Sequence, residues 1–345
     1  MTKDLTSGSP MRLILGFTLP TLFGLLFQQF YNLVDAMIVG KLLGAQALGS
    51  VGATGSINFF VIGFCLGVCS GFAIPVAQRM GAKDYPQMRR YVANAAYLSA
   101  LIALVLTVTT GIFCRSILTA MQTPADLFEN ANAYIFIIFM GIPVVFLYNL
   151  LACIIRALGD SRTPVYFLAL SAGLNIVLDL TFILLFRWGV AGAAIATVTG
   201  YMIPAVIGLV YFSYARSSLW LVRPRMEKGE LKDTCINGSS EMVTNLSSGI
   251  ITFLFNLAMM HFAGEDGVAA ITIIQYSQFL LNALFMGFSQ GVSPVISFNY
   301  GSRNQEQLRQ VFKTSLIFTL VTSAATFLLA QLGGSFVVGI FAEPG

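Results

Sequence analysis

An all-α membrane protein built as two six-helix lobes in parallel repeat, the second lobe truncated after about three helices, is the fold class the sequence predicts. Three observations carry it. Of 345 residues, 57% are hydrophobic and only 10% are charged, where a water-soluble domain carries about 25% charged residues. The Lys and Arg residues fall almost entirely into alternate loops. The chain also resembles itself at an offset of 220 residues.

Backbone crossing hydrocarbon must satisfy its hydrogen bonds within a helix or a closed barrel, and these apolar runs far exceed the roughly 10 residues of a barrel strand. Nine helical spans are expected, near 13–40, 51–78, 91–114, 131–155, 164–186, 190–214, 235–262, 269–299 and 311–333. Several exceed the roughly 20 residues needed to cross, so tilt or projection beyond the bilayer is expected. The N-terminus is short and polar, and the run after it has no small-residue cleavage site, so the first helix is expected to stay. Residues 215–234 form the long polar connection. They divide residues 1–214, a lobe of helices one to six, from residues 235–345, a partial lobe of helices seven to nine.

Basic residues in short loops mark the cytoplasmic side. Sixteen Lys and Arg fall in the N-terminus and the even loops, and only Lys41, Arg115 and Arg187 fall opposite. This places the N-terminus in the cytoplasm of a multi-pass plasma-membrane protein. It also supports the helix count, because one missed helix would scramble the alternation. The net charge of +4 is then a topology signal, and no nucleic-acid partner is expected.

At the offset of 220, residues 67–90 lie over 287–310, pairing Gly67 with Gly287, Gly71 with Gly291, Gly81 with Gly301 and Arg89 with Arg309. Six spans separate the copies, so both have one orientation, and a path between the lobes is expected. The counterpart of helices four to six is missing from the second copy. Truncation is the favoured reading, because half a lobe would turn polar and small-residue faces to lipid.

The composition excludes several chemistries. Five cysteines, Cys65, Cys69, Cys114, Cys153 and Cys235, form no CxxC pair, and His261 is the only histidine. They read as apolar fillers, with no metal site or hydrolytic triad to build. Pro20, Pro75, Pro143, Pro204 and Pro294 interrupt spans, which allows bending but is common in membrane helices of any function.

Three acids lie within apolar runs: Asp35, Asp179 and Glu241. A carboxylate at the bilayer centre costs on the order of 2.5 to 3.5 kcal/mol, so such residues usually mark ion or proton pathways. A helical rise of about 1.5 Å per residue puts Asp35 and Asp179 at one level, roughly 8 to 11 Å inside the outer boundary. Asn175 lies one turn from Asp179, and Thr197 enters the sixth span at a comparable depth. These four oxygen-bearing groups suit Na⁺, or a proton shared between the two acids. The plainer alternative is that the acids reach headgroup water while Asn175 and Thr197 bridge helices. Gln28, Tyr31, Gln275, Gln278 and Asn282 could line a polar cavity or join helices, and Glu241 could line the cytoplasmic entrance.

The segments QQFYNLVDAMIVGKLLGAQALGSVG (28–52), RALGDSRTPV (156–165), GLNIVLDLTFI (173–183) and GVAGAAIATV (189–198) resemble the multidrug and toxic compound extrusion (MATE) transporters along essentially the whole chain. The resemblance implies twelve helices in two lobes around a central cavity. It also implies export of amphipathic, often cationic small molecules, driven by H⁺ or Na⁺, with no cofactor. In the DinF-like branch the positions matching Asp35, Asn175, Asp179 and Thr197 form the first-lobe cation site. The chain departs from the NorM-like branch, which has an acid deep in helix seven, because Glu241 lies near the start of that span. A monomer is expected.

A flippase for lipid-linked sugars is the competing class, and it would need Arg or Lys in the cavity to meet pyrophosphate. A membrane-embedded enzyme would need a nucleophile with a base, or a metal cluster, and the sequence supplies neither.

Overall fold

Stops and starts written into the loops divide the chain into helices. The computed structural model describes residues 5–214 and 227–341; the side chains of 213, 214, 333–341 and many between 248 and 282 lie outside the description. The helices are α1 (Pro10–Leu43), α2 (Ala45–Gly81), α3 (Tyr85–Ile112), α4 (Cys114–Ala120), α5 (Ala125–Met140), α6 (Ile142–Ala157), α7 (Thr163–Leu180), α8 (Gly189–Tyr214), α9 (Lys228–Gly301) and α10 (Gln305–Phe341).

The segment between α6 and α7 shows how the sequence sets a boundary. Gly159 takes φ +94°, which a glycine adopts without steric penalty. Asp160 then accepts from the backbone N–H groups of Arg162 and Thr163 at 3.0 and 3.1 Å and from the Thr163 hydroxyl at 2.6 Å. Pro164 sits in the first turn of α7, where its missing N–H is harmless. Asp160→Ala is expected to remove about 1 kcal/mol of stability, read as a lower melting temperature in detergent.

The repeat has a structural counterpart. Lys83 turns the chain out of α2 at φ +58°, and Arg303, 220 residues on, turns it out of α9 at φ +56°. Asp84 then accepts from the Gln87 N–H at 3.2 Å, and Asn304 from the Gln307 N–H at 3.1 Å. One turn geometry has been kept with two different capping side chains.

Among the described residues, six helices are long and apolar enough to cross a membrane, and α5 with α6, bent by 48° at their junction, are long and apolar enough for a seventh if they act as one span. The bend falls at Gly141, just before Pro143, whose ring cannot continue the ladder of α5. Helix α9 covers what the sequence divides into two spans. Its Asn237 lies against Gly71 and its Phe298 against Gly81. Those α2 positions are about 15 Å apart, whereas a straight helix would hold the two α9 residues about 90 Å apart. Helix α9 therefore doubles back between them. It also starts at Lys228, inside the segment read as the linker; residues 215–226 lie outside the description.

The lobes meet in one half of the bundle, the basic end that carries Arg12, Arg79, Arg156 and Arg303. A Cβ added to Gly67 would come within 2.6 Å of Met242 Cα, one on Gly71 within 2.6 Å of Gly238 Cα, and one on Gly291 within 2.6 Å of Thr18 Cα. Helices touch backbone to backbone there because no side chain intervenes. At the opposite end Phe30, Leu33, Leu254 and Phe255 are exposed. Phe182, Phe186 and Trp188 cluster there with ring centroids 5.0 to 5.9 Å apart, as aromatic belts do at a bilayer surface.

Candidate functional site

Helix α1 presents Gln28, Tyr31 and Asp35 along one face, at the spacing of successive turns. Helix α7 contributes Asn175 and Asp179, one turn apart, and α8 contributes Thr197 and Tyr201 in the same relation. Gly200 brings α8 close to α7: a Cβ there would stand 3.1 Å from Asn175 Cβ and 3.2 Å from the Ser171 carbonyl. Immediately after Asp179, residues Thr181–Leu185 wind as a π-helix, an irregularity found often at functional positions.

Asp179 is fully buried and Asn175 is 1% exposed. The Asn175 amide is satisfied in one orientation: its nitrogen donates to Asp179 Oδ2 at 2.7 Å, and its oxygen accepts from the Thr197 backbone N–H at 3.0 Å. The Thr197 hydroxyl donates to the Ala193 carbonyl at 3.0 Å. The carboxyls of Asp35 and Asp179 approach within hydrogen-bonding reach of each other. Both groups are acceptors when ionised, so the contact requires a proton or a cation between them.

A cleft of about 60 Å³ opens beside the pair, lined by Tyr31, Asp35, Asn58, Tyr134, Thr197 and Tyr201 among others, with no Lys or Arg among the described residues. It has room for a few waters or a small cation. Oδ1 of Asp35, Oδ1 of Asp179 and Oδ1 of Asn58 are buried without a hydrogen-bond partner. Leaving such atoms unmatched costs on the order of 1 to 3 kcal/mol each, more when charged. Oxygen-only donors suit H⁺ or a hard cation such as Na⁺. Among the described residues no cluster of three His, Cys, Asp or Glu could hold another metal.

The structure thus brings Asp35, Asn175, Asp179 and Thr197 together. Tyr31 lines the cleft, and Gln28 lies beside Tyr201 on its wall. Glu241 lies apart, half-buried in the basic half with its carbonyl beside Gly67. The side chains of Gln275, Gln278 and Asn282 lie outside the described residues. Sequence reasoning did not find Asn58, Tyr134 or Tyr201. The available signal was one of several polar groups in each of three apolar spans, and span depth alone does not say which way each one turns.

Residues 20–181 and 242–345 match the MatE family. The probable multidrug resistance protein YpnP of Bacillus subtilis is 28% identical over 316 residues, 88% of this chain and 68% of that protein. The multidrug export protein MepA of Staphylococcus aureus strain MSSA476 is 24% identical over 94% of this chain and 72% of its own length. A solved structure of MATE in the bent conformation has a TM-score of 0.90 and 26% identity, covering 98% of this chain and 76% of that one. The outward-facing conformation of a multidrug resistance MATE transporter of the MOP superfamily has a TM-score of 0.88 at 25% identity, covering 98% and 76%.

Proposed function

This chain belongs to the MatE family of multidrug efflux transporters, and from that premise we propose that it exports small amphipathic compounds, cationic ones foremost, by antiport with H⁺ or Na⁺ held at Asp35, Asn175, Asp179 and Thr197. The carrying observation is the Asp35–Asp179 contact, which stands beside unpartnered buried oxygens and, among the described residues of the cleft, no basic residue. The site follows the DinF-like pattern, in the plasma membrane of a protein that works as a monomer.

With the basic end in the cytoplasm, the contact between lobes at that end describes an outward-facing state. The cation enters the cleft, neutralises the acid pair, and lets α1 repack about Pro20, inside the helix. Drug contacts weaken, drug leaves outward, and the lobes then reopen inward to release the cation. Coupling of this kind requires the cation to bind the two states with different affinity, and a neutralised carboxylate pair provides that difference.

A lipid-linked sugar flippase would present Arg or Lys to pyrophosphate, and the lining of this cleft favours a cation instead. The test is efflux of a fluorescent organic cation from proteoliposomes under an imposed H⁺ or Na⁺ gradient. Efflux that follows one gradient supports the reading. Gradient-independent behaviour in folded protein sinks it.

Asn58 extends the donor set to α2. Asn58→Leu removes one neutral oxygen ligand and is expected to raise the half-saturating concentration of the coupling ion about tenfold, with little change in maximal rate. Ion titration of the efflux rate checks it.

A further inference from the structure

The basic end is closed by two segments that cross from lobe to lobe in opposite directions. The first is the chain ahead of α1. Leu5 is fully buried, and its carbonyl accepts from Asn299 Nδ2 at 2.9 Å. The carbonyls of Thr6 and Gly8 accept from Asn304 Nδ2 at 3.2 Å and from Gln307 Nε2 at 2.8 Å. The start of the first lobe is thereby tied to the α9–α10 turn of the second.

The start of the second lobe is tied to the first in return. Arg90 pairs with Glu227 at 3.1 Å, the Tyr91 hydroxyl donates to Asp233 Oδ2 at 3.2 Å, and Asn94 Nδ2 donates to Glu230 Oε2 at 3.2 Å. The Arg79 guanidinium stands 5.8 Å from the Tyr91 ring centroid. Each strap therefore joins the entrance of one lobe's first helix to the turn between the second and third helices of the other lobe, or to a helix that flanks it. The bonding groups differ: backbone carbonyls meet Asn and Gln amides on one side, and carboxylates meet Arg, Tyr and Asn on the other.

Glu230 is the one acid of the second strap that is buried, at 4% exposure. Its neighbours Glu227 and Asp233 belong to more open contacts, so breaking them exchanges one hydrated partner for another and changes little. Separating Glu230 from Asn94 breaks a hydrogen bond to a buried charged acceptor, the stronger class of such bonds.

We propose that these reciprocal straps gate the basic end, and that Glu230, through its contact with Asn94, is the positioning residue that sets how readily that end opens during transport. The proposal rests on the alternating-access reading above. Its test is independent of coupling, because it needs neither a gradient nor a drug.

A native reporter lies at the interface. Cys153, buried at 4% exposure, lines a cleft of about 30 Å³ between the lobes together with Arg156, Ser293 and Ser297. Cys114, also buried, sits near the opposite end. With the exposed Cys235 replaced by Ser, the N-ethylmaleimide labelling rate is measured at each cysteine by peptide mass mapping in proteoliposomes. Glu230→Gln, and separately Asn304→Ala with Gln307→Ala, are expected to speed labelling of Cys153 about fivefold or more and to leave Cys114 unchanged. Equal labelling of Cys153 in parent and both variants overturns the proposal. So does acceleration at both cysteines, which reports general loosening. If wild-type efflux ignores both gradients while Cys153 still responds, the coupling reading fails and the gate stands.

Discussion

Asp35→Asn is expected to abolish gradient-driven efflux, a loss of two orders of magnitude or more, while the protein still inserts and melts near the wild-type temperature. Asparagine keeps the shape of aspartate but removes one of the two negative charges that, on the proposed coupling, the cation neutralises. Cation binding then no longer discriminates between the two states, and a ligand without differential affinity shifts nothing. Asp179→Asn is expected to match it in transport. It should cost more in stability, because Asp179 is fully buried and accepts from Asn175 at 2.7 Å. Efflux assays with thermal melts separate the two effects. Wild-type coupling in Asp35→Asn would remove the acid pair from the mechanism.

Gly71→Val is expected to have the next largest effect, on the conformational cycle rather than on the ion. A Cβ at that position would lie 2.6 Å from Gly238 Cα, with the Asn237 carbonyl closer still. Backbone atoms cannot rotate away as a side-chain tip can, so the lobes must separate at the basic end. The outward-facing state should be depleted, efflux should fall at least tenfold, and the melting temperature should drop by several degrees. Substrate binding from the basic side should survive. Measuring drug binding and efflux on one preparation checks this, and loss of both together would point to misfolding instead.

The helices were legible wherever lipid dictates composition, since long apolar runs and alternating loop charge are direct consequences of the solvent. Helix ends were less so. α1 begins at Pro10 and α3 at Tyr85, ahead of the apolar runs that mark them, because caps such as Asp84 are polar and hydropathy registers only the hydrocarbon. The π-turn after Asp179 left no signal, as TFILL is equally compatible with α-helix. Depth put Asp35 and Asp179 at one level, and only three acids lay in the spans, but depth alone left open whether the two turn toward each other or toward headgroup water. Asn58 needed the rotation of α2 about its axis, which glycine and alanine on several faces do not fix.

The lengths of the first two helices carry a further consequence. At about 1.5 Å per residue, the 34 residues of α1 and the 37 of α2 measure roughly 51 and 55 Å, against a hydrocarbon core of about 30 Å. Typical tilt shortens such helices by only a few ångströms, so their basic ends stand in headgroups and water. Gly81 packs against the Phe298 backbone there and Gly301 against that of Gln78, and Leu5 is buried there. Closing that end therefore removes apolar surface from water, a driving force absent between helices within lipid. The opening and closing of a membrane protein is to that extent governed by an aqueous phase, and osmolytes or urea on that side should bias it as they bias the folding of a soluble domain.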